Sequence, residues 1–522
     1  MSAQHVSAVL EKAEERQLEH ARAPPSPAAA AMDVPAPSAA LERRLLWKLD
    51  LILTPLFFVV FLITFIDRAN IGNARVAGLE RDLGLTGYQF NIALTVFYIF
   101  YALWEMCSNS VCKYIGARVW IPLQVFAFGL VCMCTGFVKN FSQLIGLRIL
   151  LGIAEGGVLP AQSLVLSRFY KRDEMVFRLS ILVSAAALAG AFGGLLASGF
   201  IAAGEVGSLG GAWRNIFVFE GIITIVISGI TAALSASGPQ DAWWLTAEEK
   251  ELCLRRVGRD VSVSGTNEKS DRGAVWRYLC TPAPWICAFG YLAANVGVQG
   301  ASLFTPTIVR SMYPGMTTVQ IQLRSVPPFA AIWVFMVGLG LASTLLKRRG
   351  VLLLFAAPFA VVGYAVFVGT DMSDTSARYA MLFLNGIGAF PGGPMWIAWG
   401  VGCAATDTER SVASGLVPGW GQLGAIIATW CYLPTDAPNY YTGNSMVLGF
   451  AALQVVLAAL MLWYVKRENA LRLAGKRDYR LGELDSLSSD AEKVSSRGES
   501  DAEAAEKVRR LGSQHPAWLF PL

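Results

Sequence analysis

Phe61-Leu-Ile-Thr-Phe-Ile-Asp67-Arg68-Ala-Asn70-Ile-Gly72-Asn73-Ala74 closes an apolar run that begins at Leu49, and it sets an acid beside a base where that run ends. A charged side chain near the centre of a bilayer costs roughly 2.5–3.5 kcal/mol on insertion scales, so such groups face a cavity and mark an ion or substrate path. Two placements fit. Leu49 to Asp67 at about 1.5 Å per residue covers roughly 27 Å, which can leave the pair at the membrane surface. Ala69 to Val76, however, has no helix stop before Gly78, so the helix can run on and carry Asp67 into the protein.

Around this stretch the composition points one way. The chain has 522 residues, 54% hydrophobic and 16% charged, with a mean hydropathy of +0.47. That excludes an ordinary soluble domain and indicates an all-α polytopic membrane protein. The net charge of +5 implies no nucleic-acid partner, because in a membrane protein the placement of Lys and Arg matters more than their sum. Nine cysteines, mostly inside apolar runs, read as buried hydrophobes rather than a disulfide framework. Cys132-Met-Cys134 has no nearby His, so no metal site is expected, and no cofactor is implied. His5, His20 and His515 lie in polar tails, which removes histidine relays and haem ligation from the membrane core.

Residues 1–44 are polar, then Pro/Ala-rich, and are expected to be a cytoplasmic tail. Runs long enough to cross a membrane follow near 49–72, 90–112, 119–138, 143–167, 179–203 and 212–235, then near 283–309, 326–346, 351–370, 379–404, 411–433 and 444–465. The expectation is twelve transmembrane helices in two six-helix bundles, 45–235 and 282–466. Between them lies a basic cytoplasmic loop, 236–281, with a short amphipathic helix around Thr246 to Val257. Residues 467–522 form the second cytoplasmic tail, whose Ser- and charge-rich part, Ser486 to Arg510, reads as a trafficking or phosphorylation region. Lys and Arg concentrate before the first span, in the second, fourth and eighth connections and after the last span, which puts both termini inside. Asn140-Phe-Ser142 is a glycosylation sequon squeezed between two spans.

Charge inside the spans is asymmetric. Asp67, Arg68, Glu105, Arg148, Glu155 and Glu220 all fall in the first half, while the central parts of the last six spans have no charged residue. Arg148 and Glu155 are seven residues apart, about two turns, and share one helix face. Two acids and two bases around one low-dielectric cavity let an acid exchange a proton when a substrate anion takes its partner Arg. Arg68 and Arg148 suit a carboxylate, which the guanidinium fork binds through two hydrogen bonds. Asp67 and Glu155 are the candidate proton-coupling acids. Asn295, Gln299 and Asn385, with Trp396, Trp399, Trp420 and Gln422, are polar or aromatic candidates for the pocket wall in the second half, or for helix–helix contacts. Glu105 and Glu220 are expected near helix ends, in structural networks.

Further motifs in order are Phe97-Tyr98-Ile-Phe-Tyr101-Ala-Leu-Trp-Glu105-Met-Cys-Ser108-Asn109, Leu147-Arg148-Ile-Leu-Leu-Gly152-Ile-Ala-Glu155-Gly-Gly-Val-Leu-Pro160, Trp213-Arg214-Asn-Ile-Phe-Val-Phe-Glu220-Gly221 and Ala437-Pro438-Asn-Tyr440. With the Asp67-Arg68 segment, these resemble the major facilitator superfamily, and within it the fungal allantoate permease family of anion:cation symporters, from about Leu49 to Lys466. The resemblance implies the major facilitator fold, no enzymatic activity, and import of a small organic anion with protons by a monomer in the plasma membrane. Allantoate, nicotinate and pantothenate are in its substrate class. It also implies that Arg68 contacts the substrate carboxylate while Asp67 and Glu155 handle the proton. Lys113 stands where the superfamily places an Asp three residues before Gly116, and Cys107 stands where the family has Pro. The alternative is a proton-driven exporter of a secondary metabolite or drug. The fifth span's Gly190-Ala-Phe-Gly193-Gly194 lacks the Gly-Pro pair of such exporters.

Overall fold

Backbone polar groups in lipid must be satisfied within their own segment, so apolar runs of this length become helices. The computed structural model describes residues 39–204, 210–263, 272–346, 348–371, 374–477, 513 and 520–521. Among them the first half contains α1 (Ala39–Val76), α2 (Gln89–Ile115), α3 (Ala117–Thr135), α4 (Phe141–Glu155), α5 (Val158–Phe169), α6 (Arg172–Ala202) and α7 (Trp213–Leu234). The connecting segment holds α8 (Ala247–Val263) and α9 (Arg272–Leu279). The second half contains α10 (Pro282–Met312), α11 (Thr318–Leu346), α12 (Arg349–Gly369), α13 (Thr375–Ala389), α14 (Gly392–Cys403), α15 (Asp407–Thr429) and α16 (Tyr441–Leu473).

The pairs α4–α5 and α13–α14 each make one crossing, so the architecture is twelve transmembrane helices in two six-helix bundles. Nine crossings among the described residues are long and apolar enough by themselves. The second, tenth and eleventh complete the set. In the tenth and eleventh, Gly, Pro and polar residues dilute the apolar signal, and in the tenth a central interruption adds to this. Gly156-Gly157 interrupts the fourth crossing and Phe390-Pro391 the tenth, each inside a Gly-rich segment, Gly152-Ile-Ala-Glu155-Gly156-Gly157 and Gly386-Ile-Gly-Ala-Phe-Pro-Gly392-Gly393.

Several helices overrun their apolar cores. α1 begins at Ala39, before the expected start at 45, and α16 continues to Leu473, past 466. The extra turns are polar and find ionic partners at the end of the bundle that bears α8. Arg256 of α8 is buried and bridges Glu42 at 2.7 Å and Glu174 at 2.5 Å. Lys48 pairs with Glu249 at 2.7 Å and Arg178 with Asp50 at 2.6 Å. The Thr246 hydroxyl accepts from Glu249 N while the Glu249 carboxylate accepts from Thr246 N, a capping box that starts α8 where the sequence predicts it. α9 is too short and polar to be anticipated.

Phe520 and Pro521 pack against the second half. The Phe520 ring is buried under Arg472, Asn469 exchanges two hydrogen bonds with the Phe520 backbone, and Trp399 Nε1 donates to the Pro521 carbonyl at 3.0 Å. Ser486 to Arg510 and the three histidines lie outside the described residues.

Candidate transport site

Two glycines set the site. Gly152 and Gly156, one turn apart, press α4 and the residues after it against α2. A methyl at Gly152 would lie 2.6 Å from the Phe97 carbonyl oxygen, and one at Gly156 would lie 2.6 Å from that of Tyr101. This approach brings Glu155 to Arg68 of α1. Arg68 Nε donates to Glu155 Oε1 at 2.8 Å, with Glu155 fully buried. The Arg68 guanidinium lies over Tyr101 at 4.3 Å and Phe65 at 4.7 Å, which fixes its plane. Its Nη2 is buried without a hydrogen-bond partner among the described residues.

Arg68 stands on the wall of a cavity between the halves. The space, about 720 Å³ with its open mouth, is also lined by Phe61, Tyr101, Glu105, Tyr291, Asn295, Gln299, Phe390, Pro418 and Gln422. Gln299 Oε1 accepts from the Tyr98 hydroxyl at 2.8 Å, across the two halves, and Asn295 Nδ2 donates to the Gly421 carbonyl at 2.7 Å. Behind Arg68, inside the first half, Asp67, Arg148, Glu155 and Glu220 are each at most 2% exposed. Asp67 interacts electrostatically with Arg148 and Arg68, and lies beside the Cys132 thiol. Both Asp67 carboxylate oxygens, Arg148 Nη2 and Glu155 Oε2 have no hydrogen-bond partner among the described residues. Asn70 donates to Glu220. The surface placement of Asp67 and Arg68 is thereby ruled out: α1 runs nine residues past Asp67.

The sequence-derived candidates separate into three places. Arg68, Asn295 and Gln299 meet at the cavity. Asp67, Arg148 and Glu155 form the charge cluster behind it, so Arg148 does not line the cavity with Arg68. Asn385 is elsewhere, in a space of about 370 Å³ inside the second half, beside Thr305, Tyr364, Tyr432 and Asn444. Its helix turns this face toward α12, where a methyl at Gly363 would fall 2.0 Å from Asn385 Oδ1. Glu105 and Glu220 are not at helix ends. Glu105 lines the cavity and Glu220 joins the buried cluster. An acid midway along an apolar helix was the available signal for both. Trp396 and Trp399 stack on each other in the second half's core. Asn140 is exposed and accepts from Gln143 N at 3.0 Å, capping α4.

The halves pack along α6 and α11, where Phe329 lies against Gly190, and hydrogen bonds join them at the end opposite α8. Arg310 donates to the Val76 carbonyl, Asn91 to the Thr429 carbonyl at 2.5 Å, and Trp430 Nε1 to Thr95 at 2.9 Å. The cavity lining runs from Arg68 and Gln299 toward Pro418 and Ile397, nearer the α8 end.

Comparison with known proteins agrees with this architecture. The Major Facilitator Superfamily model matches residues 56–429. A high-affinity nicotinic acid transporter of Saccharomyces cerevisiae is 29% identical over 436 residues, 84% of this chain and 80% of that one. The MFS-type transporter cnsO of Penicillium expansum is 30% identical over 478 residues, 87% and 90% of the two chains. Among solved structures, a D-xylose–proton symporter superposes with a TM-score of 0.61 at 13% identity, over 78% of this chain and 96% of that one.

Proposed function

The chain belongs to the major facilitator superfamily and is a multi-pass membrane transporter, not an enzyme; on that premise we propose that it imports a small organic anion together with protons, as a member of the fungal allantoate permease type. The observation that carries this reading is Arg68. It is a buried guanidinium on the cavity wall with one nitrogen on Glu155 and another unpartnered, the arrangement that a carboxylate ligand completes. The aromatic lining suits a flat or heterocyclic monocarboxylate, and the nicotinic acid transporter among its relatives makes nicotinate the first compound to try.

The coupling follows from charge balance. Asp67, Glu155 and Glu220 against Arg68 and Arg148 leave one uncompensated negative charge, which a single proton on the cluster neutralises. When a substrate carboxylate takes Arg68 it adds one more negative charge and Glu155 loses its partner, so Glu155 takes up a second proton. Release of the substrate returns Arg68 to Glu155 and frees that second proton, while the first stays on the cluster. The excess of Lys and Arg in the connections favours a cytoplasmic α8 end; on that orientation the contacts opposite α8 close the outer side and the cavity communicates inward. Plasma-membrane placement, cytoplasmic termini and a monomer in the bilayer belong to the same reading.

The test is proton movement evoked by a panel of small carboxylates in vesicles holding the purified protein. Inward protons with at least one carboxylate, abolished by Arg68→Ala, are expected. An Arg68→Ala protein with unchanged affinity would sink the assignment.

A further inference from the structure

The cavity that presents Arg68 also presents an acid. Tyr101 lies under the Arg68 guanidinium, and Glu105 follows it by four residues on α2, about 6 Å along the helix toward the α8 end. Glu105 accepts from Gln422 Nε2 of α15 at 3.5 Å. Charge-assisted bonds of this kind normally run about 2.7–2.9 Å, and a carboxylate has room for roughly four donors. At the other end of the same amide, Gln422 Oε1 is buried with no partner among the described residues. Glu105 and Gln422, one from each half of the protein, therefore line one space, and each has acceptor capacity to spare.

We propose that Glu105 and Gln422 form a second substrate subsite that takes an N–H donor, a primary amide or amine, at the far end of a carboxylate held by Arg68. This rests on the carboxylate reading above and narrows it to bifunctional molecules. One N–H goes to a Glu105 oxygen and a second to Gln422 Oε1. An alkyl end in the same place offers no donor and leaves both acceptors desolvated and unpaired, which is the strong form of discrimination. Because the two acceptors sit on α2 and α15, the donor also ties the halves together across the cavity and so links recognition to closure.

The experiment compares isosteric pairs by ligand-induced thermal stabilisation of the purified full chain: 4-carbamoylbenzoate against 4-isopropylbenzoate, and succinamate against 4-methylpentanoate. In the parent protein at least one amide is expected to act at a concentration tenfold or more below its alkyl isostere. Glu105→Leu removes that preference, and Glu105→Gln, which keeps an acceptor oxygen, retains part of it. Equal action of both members of both pairs on the parent protein overturns the proposal without needing a variant, as does a preference that survives Glu105→Leu. Failure of all four ligands while nicotinate or another panel carboxylate acts overturns the subsite alone; failure of every carboxylate is a different result and overturns the carboxylate reading itself.

Discussion

Replacing Glu155 with Gln tests the buried charge cluster at its tightest contact. The carboxylate is fully buried and 2.8 Å from Arg68 Nε. Removing one partner of a buried ion pair costs about 3–5 kcal/mol because it strands the other charge. Gln keeps the shape and an acceptor oxygen, so the loss should fall toward the lower figure, near 3 kcal/mol. A folded protein can carry that and still be assayed. For coupling the consequence is sharper. A pH difference of one unit across the membrane supplies about 1.36 kcal/mol per proton, so a one-proton symporter accumulates its substrate about tenfold. With Gln at 155 the acid that holds the proton when Arg68 turns to substrate is gone, and the accumulation ratio should fall to about one. Exchange of labelled for unlabelled substrate, which needs Arg68 but no net proton movement, should persist. The assay is uptake into proteoliposomes with an imposed pH step, beside counterflow in the same preparation. Parent-level accumulation in Glu155→Gln would refute the coupling argument.

Other expectations follow from single contacts. A methyl at Gly72 would sit 2.2 Å from the Leu303 carbonyl oxygen, where α1 meets α10, so Gly72→Ala must part the halves there by about 1 Å at a cost of about 1–3 kcal/mol. Spin-label distances across the end opposite α8 should lengthen, and unchanged distances would count against the close approach. Asn385 faces a separate cavity, so Asn385→Ala should leave carboxylate affinity within about twofold while Asn295→Ala weakens it. A large effect of the first in a competition assay would contradict that separation. Burial by itself would raise the Glu249 carboxyl, but Lys48 and the Thr246 N–H outweigh it and hold it below the ordinary carboxylate range. This interaction is fully present above about pH 4.3, the free Glu value, and is lost as pH falls through the lower folded value. The protection of the α8 amides, measured by hydrogen exchange against the intrinsic rate at each pH, should therefore fall on acidification toward pH 3, and protection that stays constant would mean that Lys48 does not anchor the helix.

Much of the fold can be read from residue order. The apolar runs locate the crossings, and they overrun only where polar turns such as those with Glu42 and Glu468 find ionic partners outside the apolar core. The site was legible in part. Asp67, Arg68, Arg148 and Glu155 stand out because charge in an apolar helix needs a reason, and they do cluster in space. Which of them meets the cavity was not legible. Arg148 went behind it, Asn385 into another space, and Glu105 came to the wall although it had been placed at a helix end.

The sequence by itself determined that the chain crosses the membrane repeatedly, where each crossing lies, and that the first half holds the charge. Hydrophobicity decides insertion segment by segment, and buried charge is costly wherever it occurs. The tertiary structure alone decided which side of each helix faces the cavity. In lipid every face of a helix can be apolar, so the pattern leaves its rotation open, and close packing sets it instead. Gly152 and Gly156 against the Phe97 and Tyr101 carbonyls are such contacts between distant parts of the chain, and they turn Glu155 toward Arg68.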